Sequence, residues 1–105
     1  MTDALPLNAA AAARSHVELY DALLALKTRE EVDAFLSDLC TPAEVRAFAE
    51  RWQVARLLDG GGKSYREIAA QAQASPTTVV RVARFLKEMP HQGYRLVLDR
   101  LANTH

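Results

Sequence analysis

A lone cysteine, Cys40, is all the thiol this 105-residue chain carries, which excludes an internal disulfide. Set among apolar neighbours, it reads as a small core residue of a protein kept in a reducing, cytoplasmic compartment. Long hydrophobic runs are missing too. No stretch approaches the roughly 18 apolar residues of a membrane span, so no membrane association is expected. Met1–Arg14 has alanines but no basic segment leading into an apolar one, and is not expected to act as a signal peptide. His16, His91 and His105 have no partners at metal-ligand spacing, so no metal or other cofactor is expected. No Ser/His/Asp or Cys/His set lies on an evident loop scaffold, and the chain does not read as an enzyme. Gly62-Lys63-Ser64 resembles the end of a phosphate-binding loop. Leu57 stands where that loop needs its first Gly, however, and a helix rather than a strand precedes it.

A net charge of zero hides a segregation. Residues 1–50 hold four basic and nine acidic side chains, a balance of −5, whereas residues 51–105 hold nine basic and four acidic, a balance of +5. A basic half is what a phosphate-facing surface requires, because Lys and Arg contacts release counterions from nucleic acid.

Apolar residues recur at helical spacing throughout, no segment carries a strand signal, and the fold class expected is all-α with about six helices. Residues 1–14 read as a flexible N-terminal arm, partly helical where neighbouring structure supports it, and residues 15–105 as one helical domain. Ser15-His16-Val17-Glu18 has the form of a capping box opening a helix to about Lys27. Thr28-Arg29-Glu30-Glu31 is a second box, followed by a stripe of Val32, Phe35, Leu36 and Leu39. Thr41-Pro42-Ala43-Glu44 is a third, with a seam of Val45, Phe48, Trp52 and Ala55 running towards Asp59. Gly60-Gly61-Gly62 stops that helix. A last helix from about Gln92 carries Tyr94, Val97, Leu98 and Leu101. The first two helices have wide apolar surfaces that a chain of this size cannot wrap, which predicts a second copy, a homodimer.

The stretch Ser64–Lys87 carries the functional signal. Ser64 and Glu67 form a capping box, and Ile68, Ala69 and Ala72 make an apolar face with small residues at its centre. Ser75 caps a second helix with Pro76 at its first position. At about 100° per residue, Val79, Val82, Ala83 and Leu86 share one side, and Thr77, Arg81 and Arg84 the other. The link Gln73–Ala74 leaves room only for a turn. This predicts a helix-turn-helix over about residues 64–88, whose second helix enters a DNA major groove. Such turns often place Gly where Gln73 stands, and a non-Gly residue at positive φ costs about 1 kcal/mol. The alternative is that Gln73 extends the first helix.

On this reading the partner is double-stranded DNA. Ser64, Ser75 and Thr77 are placed to meet phosphates near helix N-termini. Thr77, Thr78 and Arg81 face base edges, Arg66 is a further candidate for guanine O6/N7, and Arg84 and Lys87 fix position on the backbone. A rival of a different class uses the same helices as a protein-interaction module docking on a larger regulatory complex.

Leu39–Arg51, Ser64–Ala69, Ala74–Val82 and His91–Leu101 together resemble the tryptophan-repressor family, and are most similar to its YerC/YecD branch. The resemblance covers about residues 17–101. It implies an intertwined helical homodimer that binds operator DNA through paired helix-turn-helix units and regulates transcription. The tryptophan repressor holds L-tryptophan between two arginines, with a Gly just after the second. Arg51 and Arg81 match those arginines, but Val82 stands where the Gly is expected, and its isopropyl group takes space the indole needs. An effector pocket at Arg51, Arg81 and Val82 is therefore not expected to bind L-tryptophan, and no other small-molecule effector is readable. The alternative roles are contacts of Arg81 to phosphate or base edges, and of Arg51 to a neighbouring carboxylate.

Overall fold

The computed structural model describes residues 4–104. It contains α1 (Ala4–Leu24), α2 (Arg29–Leu39), α3 (Pro42–Gly60), α4 (Tyr65–Ala72), α5 (Pro76–Lys87) and α6 (Gly93–Asn103), with no strand among the described residues. The all-α, six-helix architecture is as the periodicity predicts. The chain divides into two compact units, residues 1–41 and 42–105.

In the first unit α1 runs unbroken from Ala4, so the helix boundary expected at Ser15 is absent and residues 4–14 are helical. Alanine has the highest helix propensity of any residue, and the run Ala9–Ala13 gives the backbone no reason to stop. Residues 1–3 of the expected arm lie outside the described residues. The helix also ends earlier than expected, at Leu24. α2 starts on its predicted cap: the Glu31 N–H donates to Thr28 Oγ1 at 3.0 Å. The Glu31 carboxylate accepts from the Lys27 N–H at 2.8 Å, one residue before the position a capping box uses.

The second unit has its own core. Val54 and Ala55 of α3, Ile68 of α4, and Val79 and Val82 of α5 are at most 1% exposed. Trp52, Leu57, Leu58, Ala69, Ala72, Ala74 and Tyr94 pack around them. α5 is the central element, packed on α3, α4 and α6, and its buried side chains are the expected Val79, Val82, Ala83 and Leu86. The predicted α3 seam divides: Ala55 is buried and Trp52 packs on the core, but Phe48 is exposed. Gly61 and Gly62 end α3 at φ 71° and 81°, a region open to glycine without steric cost.

The turn between α4 and α5 settles the alternatives at Gln73. It does not extend α4, but adopts φ 55°, ψ 41°. Its N–H donates to the Ala70 carbonyl at 3.3 Å, and that of Ala74 to the Ala69 carbonyl at 3.0 Å. That pair is a Schellman motif built on a glutamine, in which two orphan carbonyls repay the strain of a left-handed residue.

Candidate nucleic-acid interface

Both short helices begin on serine caps. The Ser64 N–H donates to Glu67 Oε1 at 2.8 Å, and the Glu67 N–H to Ser64 Oγ at 3.1 Å, closing the box. The backbone hydrogen bond from Ser64, followed by that from its hydroxyl, holds the Glu67 carboxyl below the usual carboxylate range. On α5 the Thr78 N–H donates to Ser75 Oγ at 3.1 Å, and the two hydroxyls lie 2.9 Å apart. Ser64 and Ser75 are thus first of all caps. Both residues are exposed, but their hydroxyl protons have partners within the caps, that of Ser64 in the Glu67 carboxylate and that of Ser75 in exchange with the Thr78 hydroxyl.

With Val79, Val82, Ala83 and Leu86 turned into the core, α5 leaves Pro76, Thr77, Val80, Arg81, Arg84 and Lys87 exposed, and Thr78 half-buried. Arg66 is exposed on the first turn of α4. Among the described residues no ion pair engages Arg66, Arg81, Arg84 or Lys87, in contrast to Arg95. Arg95 donates to Asp59 and Asp99, each at 2.7 Å, and its guanidinium is stabilised in the charged form first by Asp59 and then by Asp99. One basic residue of this half is therefore paired with carboxylates in tying α6 to the end of α3.

Arg81 is placed differently from its basic neighbours. Its guanidinium carbon lies 4.4 Å from the centroid of the Phe85 ring, in cation–π contact. The His91 ring stacks on the same phenyl group at 6.2 Å and 17°. Arg51 lies 5.6 Å from the Phe48 ring centroid. Arg51 and Arg81 then line one open pocket of about 520 Å³, with Trp52, Phe85, Tyr94 and Val97 among its other walls. Trp52 and Tyr94 are themselves stacked, 6.4 Å apart at 26°. Two of the three residues singled out for an effector pocket are thus brought together. The third is not: Val82 is fully buried in the core and forms no part of the pocket wall.

Sequence reasoning missed the aromatic lining. The spacing of Arg81 and Phe85, one helical turn apart, was a local signal for their contact. The approach of His91 had none, since it depends on Gln92 taking φ 54° before α6, with its side-chain amide donating to the Met89 carbonyl at 2.7 Å.

Residues 15–102 match the family model described as Trp repressor protein. The chain is 38% identical over 87 residues to the uncharacterized protein YerC of Bacillus subtilis strain 168, covering 83% of this chain and 82% of that one. Among solved structures, a TrpR-like protein from Eubacterium eligens ATCC 27750 superposes with a TM-score of 0.80 at 34% identity, covering 85% of this chain and 90% of the other. A candidate Trp repressor from Staphylococcus aureus gives 0.79 at 37% identity, over 85% of this chain and 87% of the other.

Proposed function

Because the chain belongs to the Trp repressor family, we propose that it is a DNA-binding transcriptional regulator acting as a cytoplasmic homodimer, with α4 and α5 as its helix-turn-helix. One observation carries the reading: α5 buries one face in the core and exposes another on which Arg84 and Lys87 have no carboxylate partner among the described residues. A helix anchored in this way holds its outward side chains in fixed register, as entry into a major groove demands. Arg84 and Lys87 meet the phosphate backbone, as do Ser64, Ser75 and Thr77 at the helix N-termini. Arg66 remains the candidate for guanine, and Thr77 and Thr78 for other base edges. Arg81, held over Phe85, is better suited to the pocket wall or to a neighbouring phosphate than to a base.

L-tryptophan is not expected to be the effector. The ground for this is the residue type alone, Val82 standing where the resemblance places a Gly. The burial of Val82 adds no steric support, since the side chain is turned into the core and forms no part of the pocket that Arg51 and Arg81 line. The rival reading, a module that uses the same helices to dock on a larger regulatory complex, draws on the exposed Tyr65 of α4 and Val80 of α5.

Titration of the chain against random duplex at rising salt separates the two. A DNA regulator loses affinity linearly in log–log form, with a slope of about −0.9 for each phosphate neutralised. That slope should be the same with and without millimolar L-tryptophan. No retention of duplex at low salt would sink the DNA reading, and an affinity that rises with the amino acid would sink the claim about the effector.

A further inference from the structure

The outward surface of α5 changes character along its length. Its first half exposes Pro76, Thr77 and Val80, and its second half Arg81, Arg84 and Lys87. At about 100° per residue, Pro76, Thr77, Val80 and Arg84 share one stripe on the side away from the core. Val80, at 57%, is the most exposed valine among the described residues, although valine is among the residue types most often fully buried. It lies one turn from the helix N-terminus, the end that recognition helices present to base edges.

What this half lacks is equally specific. No Arg, Lys, Asn or Gln occurs between Ser75 and Arg81, and Arg81 is engaged with Phe85. The leading half of the helix therefore holds no side chain that makes a bidentate pair with guanine or adenine. A threonine hydroxyl accepts or donates to more than one base. An isopropyl group does neither, but packs on a methyl group. In the major groove only thymine, of the four bases, presents one.

We propose that Val80 reads a thymine, packing its isopropyl group on the C5 methyl of a T·A pair in the major groove, an apolar contact that acts beside the threonine hydroxyls while Arg84 and Lys87 hold the backbone. This rests on the DNA-binding reading above and adds the base that α5 selects.

The test begins with sites selected from a random DNA pool by the full chain. Each thymine of the preferred site is then replaced, one at a time, by deoxyuridine, which removes the methyl and nothing else. One position per recognition helix should lose about 3- to 5-fold in affinity, the size expected for one buried methyl group. In Val80→Ala the same replacement should change nothing, with the helical circular dichroism and salt slope of the parent retained. Selected sites without a methyl-sensitive thymine would overturn the proposal and leave the DNA reading standing. So would a sensitivity that persists undiminished in Val80→Ala. If the parent retains no duplex at low salt, the DNA reading falls and this proposal falls with it.

Discussion

Residues 1–41 and residues 42–105 solve the same problem in opposite ways. Both are built from helices with apolar stripes, and side-chain caps open α2 in the first and α4 and α5 in the second. The second unit closes Val54, Ala55, Ile68, Val79 and Val82 into a core of its own. In the first, no described side chain is fully buried, and Val17, Tyr20, Leu23, Leu24, Val32 and Leu39 remain exposed. The charges divide the same way, acidic towards the N-terminus and basic towards the C-terminus. The contrast teaches what an apolar stripe does and does not specify. It says that a helix face is to be covered, but not by which chain. A second unit that is sufficient in itself fits the presentation of a rigid reading surface, and a first unit that is not fits association with a second copy.

The sharpest way to break this comparison is to truncate one apolar side chain in each unit. Ile68→Ala should cost about 2–5 kcal/mol in urea unfolding, because Ile68 is 1% exposed among α3 and α5 side chains that cannot collapse freely into the space. Leu24→Ala should leave the stability of the second unit unchanged to within about 0.5 kcal/mol, the range of a surface substitution. Its effect should appear instead in sedimentation at micromolar concentration, as a shift from dimer towards monomer. A parent chain that sediments as a monomer would remove the role assigned to the first unit. Equal losses from the two substitutions would show that the units do not differ as described.

The same contrast marks how far the sequence could be read. The α5 seam was legible because Val79, Val82, Ala83 and Leu86 lie on one side at helical spacing and meet partners within the same unit. The stop at Gly60–Gly62 and the box at Ser64 and Glu67 were legible because their chemistry is local. Ser15 misled, since a capping box marks a helix start only where the preceding residues resist helix, and alanines do not. Phe48 misled in another way: it lies on the right stripe of α3, but buried neighbours occur only further along that helix. The pocket at Arg51 and Arg81 was half legible. Its arginines were named from the resemblance, whereas Phe85, His91 and Tyr94 came together through a turn at Gln92 that no residue preference announces.

A smaller effect sharpens the account of the second unit. Gln73 holds φ 55°, so the turn between α4 and α5 carries strain that its core must offset. Gln73→Gly should raise stability by up to about 1 kcal/mol, the cost of a left-handed conformation for a residue with a Cβ, less the extra freedom glycine gains when unfolded. A rise in the thermal midpoint with DNA affinity retained is the expected result. A fall would mean that the glutamine side chain contributes more than its backbone costs.

The smallest effect concerns the cap of α4 and has a defined direction with pH. Glu67 accepts the Ser64 N–H at 2.8 Å, and that bond, followed by the one with the Ser64 hydroxyl, sets its carboxyl below the ordinary range in the folded chain. A carboxyl depressed by folding binds fewer protons in the folded state than in the unfolded one. Its contribution to stability is therefore fully present above the unfolded value, near 4.3 for glutamate, and is lost as pH falls through the lower folded value. The gap in thermal midpoint between the parent and Glu67→Gln should be widest near neutral pH and should close in acid. The Glu67 carboxyl should titrate below the usual range when followed by NMR. Glu31→Gln provides the comparison from the first unit, because that carboxylate reaches back to Lys27 instead of closing on its own cap residue. A gap between parent and Glu67→Gln that stays constant down to acid pH would show that the box at Ser64 contributes through shape alone, and that the charge of Glu67 adds nothing to the start of the helix pair.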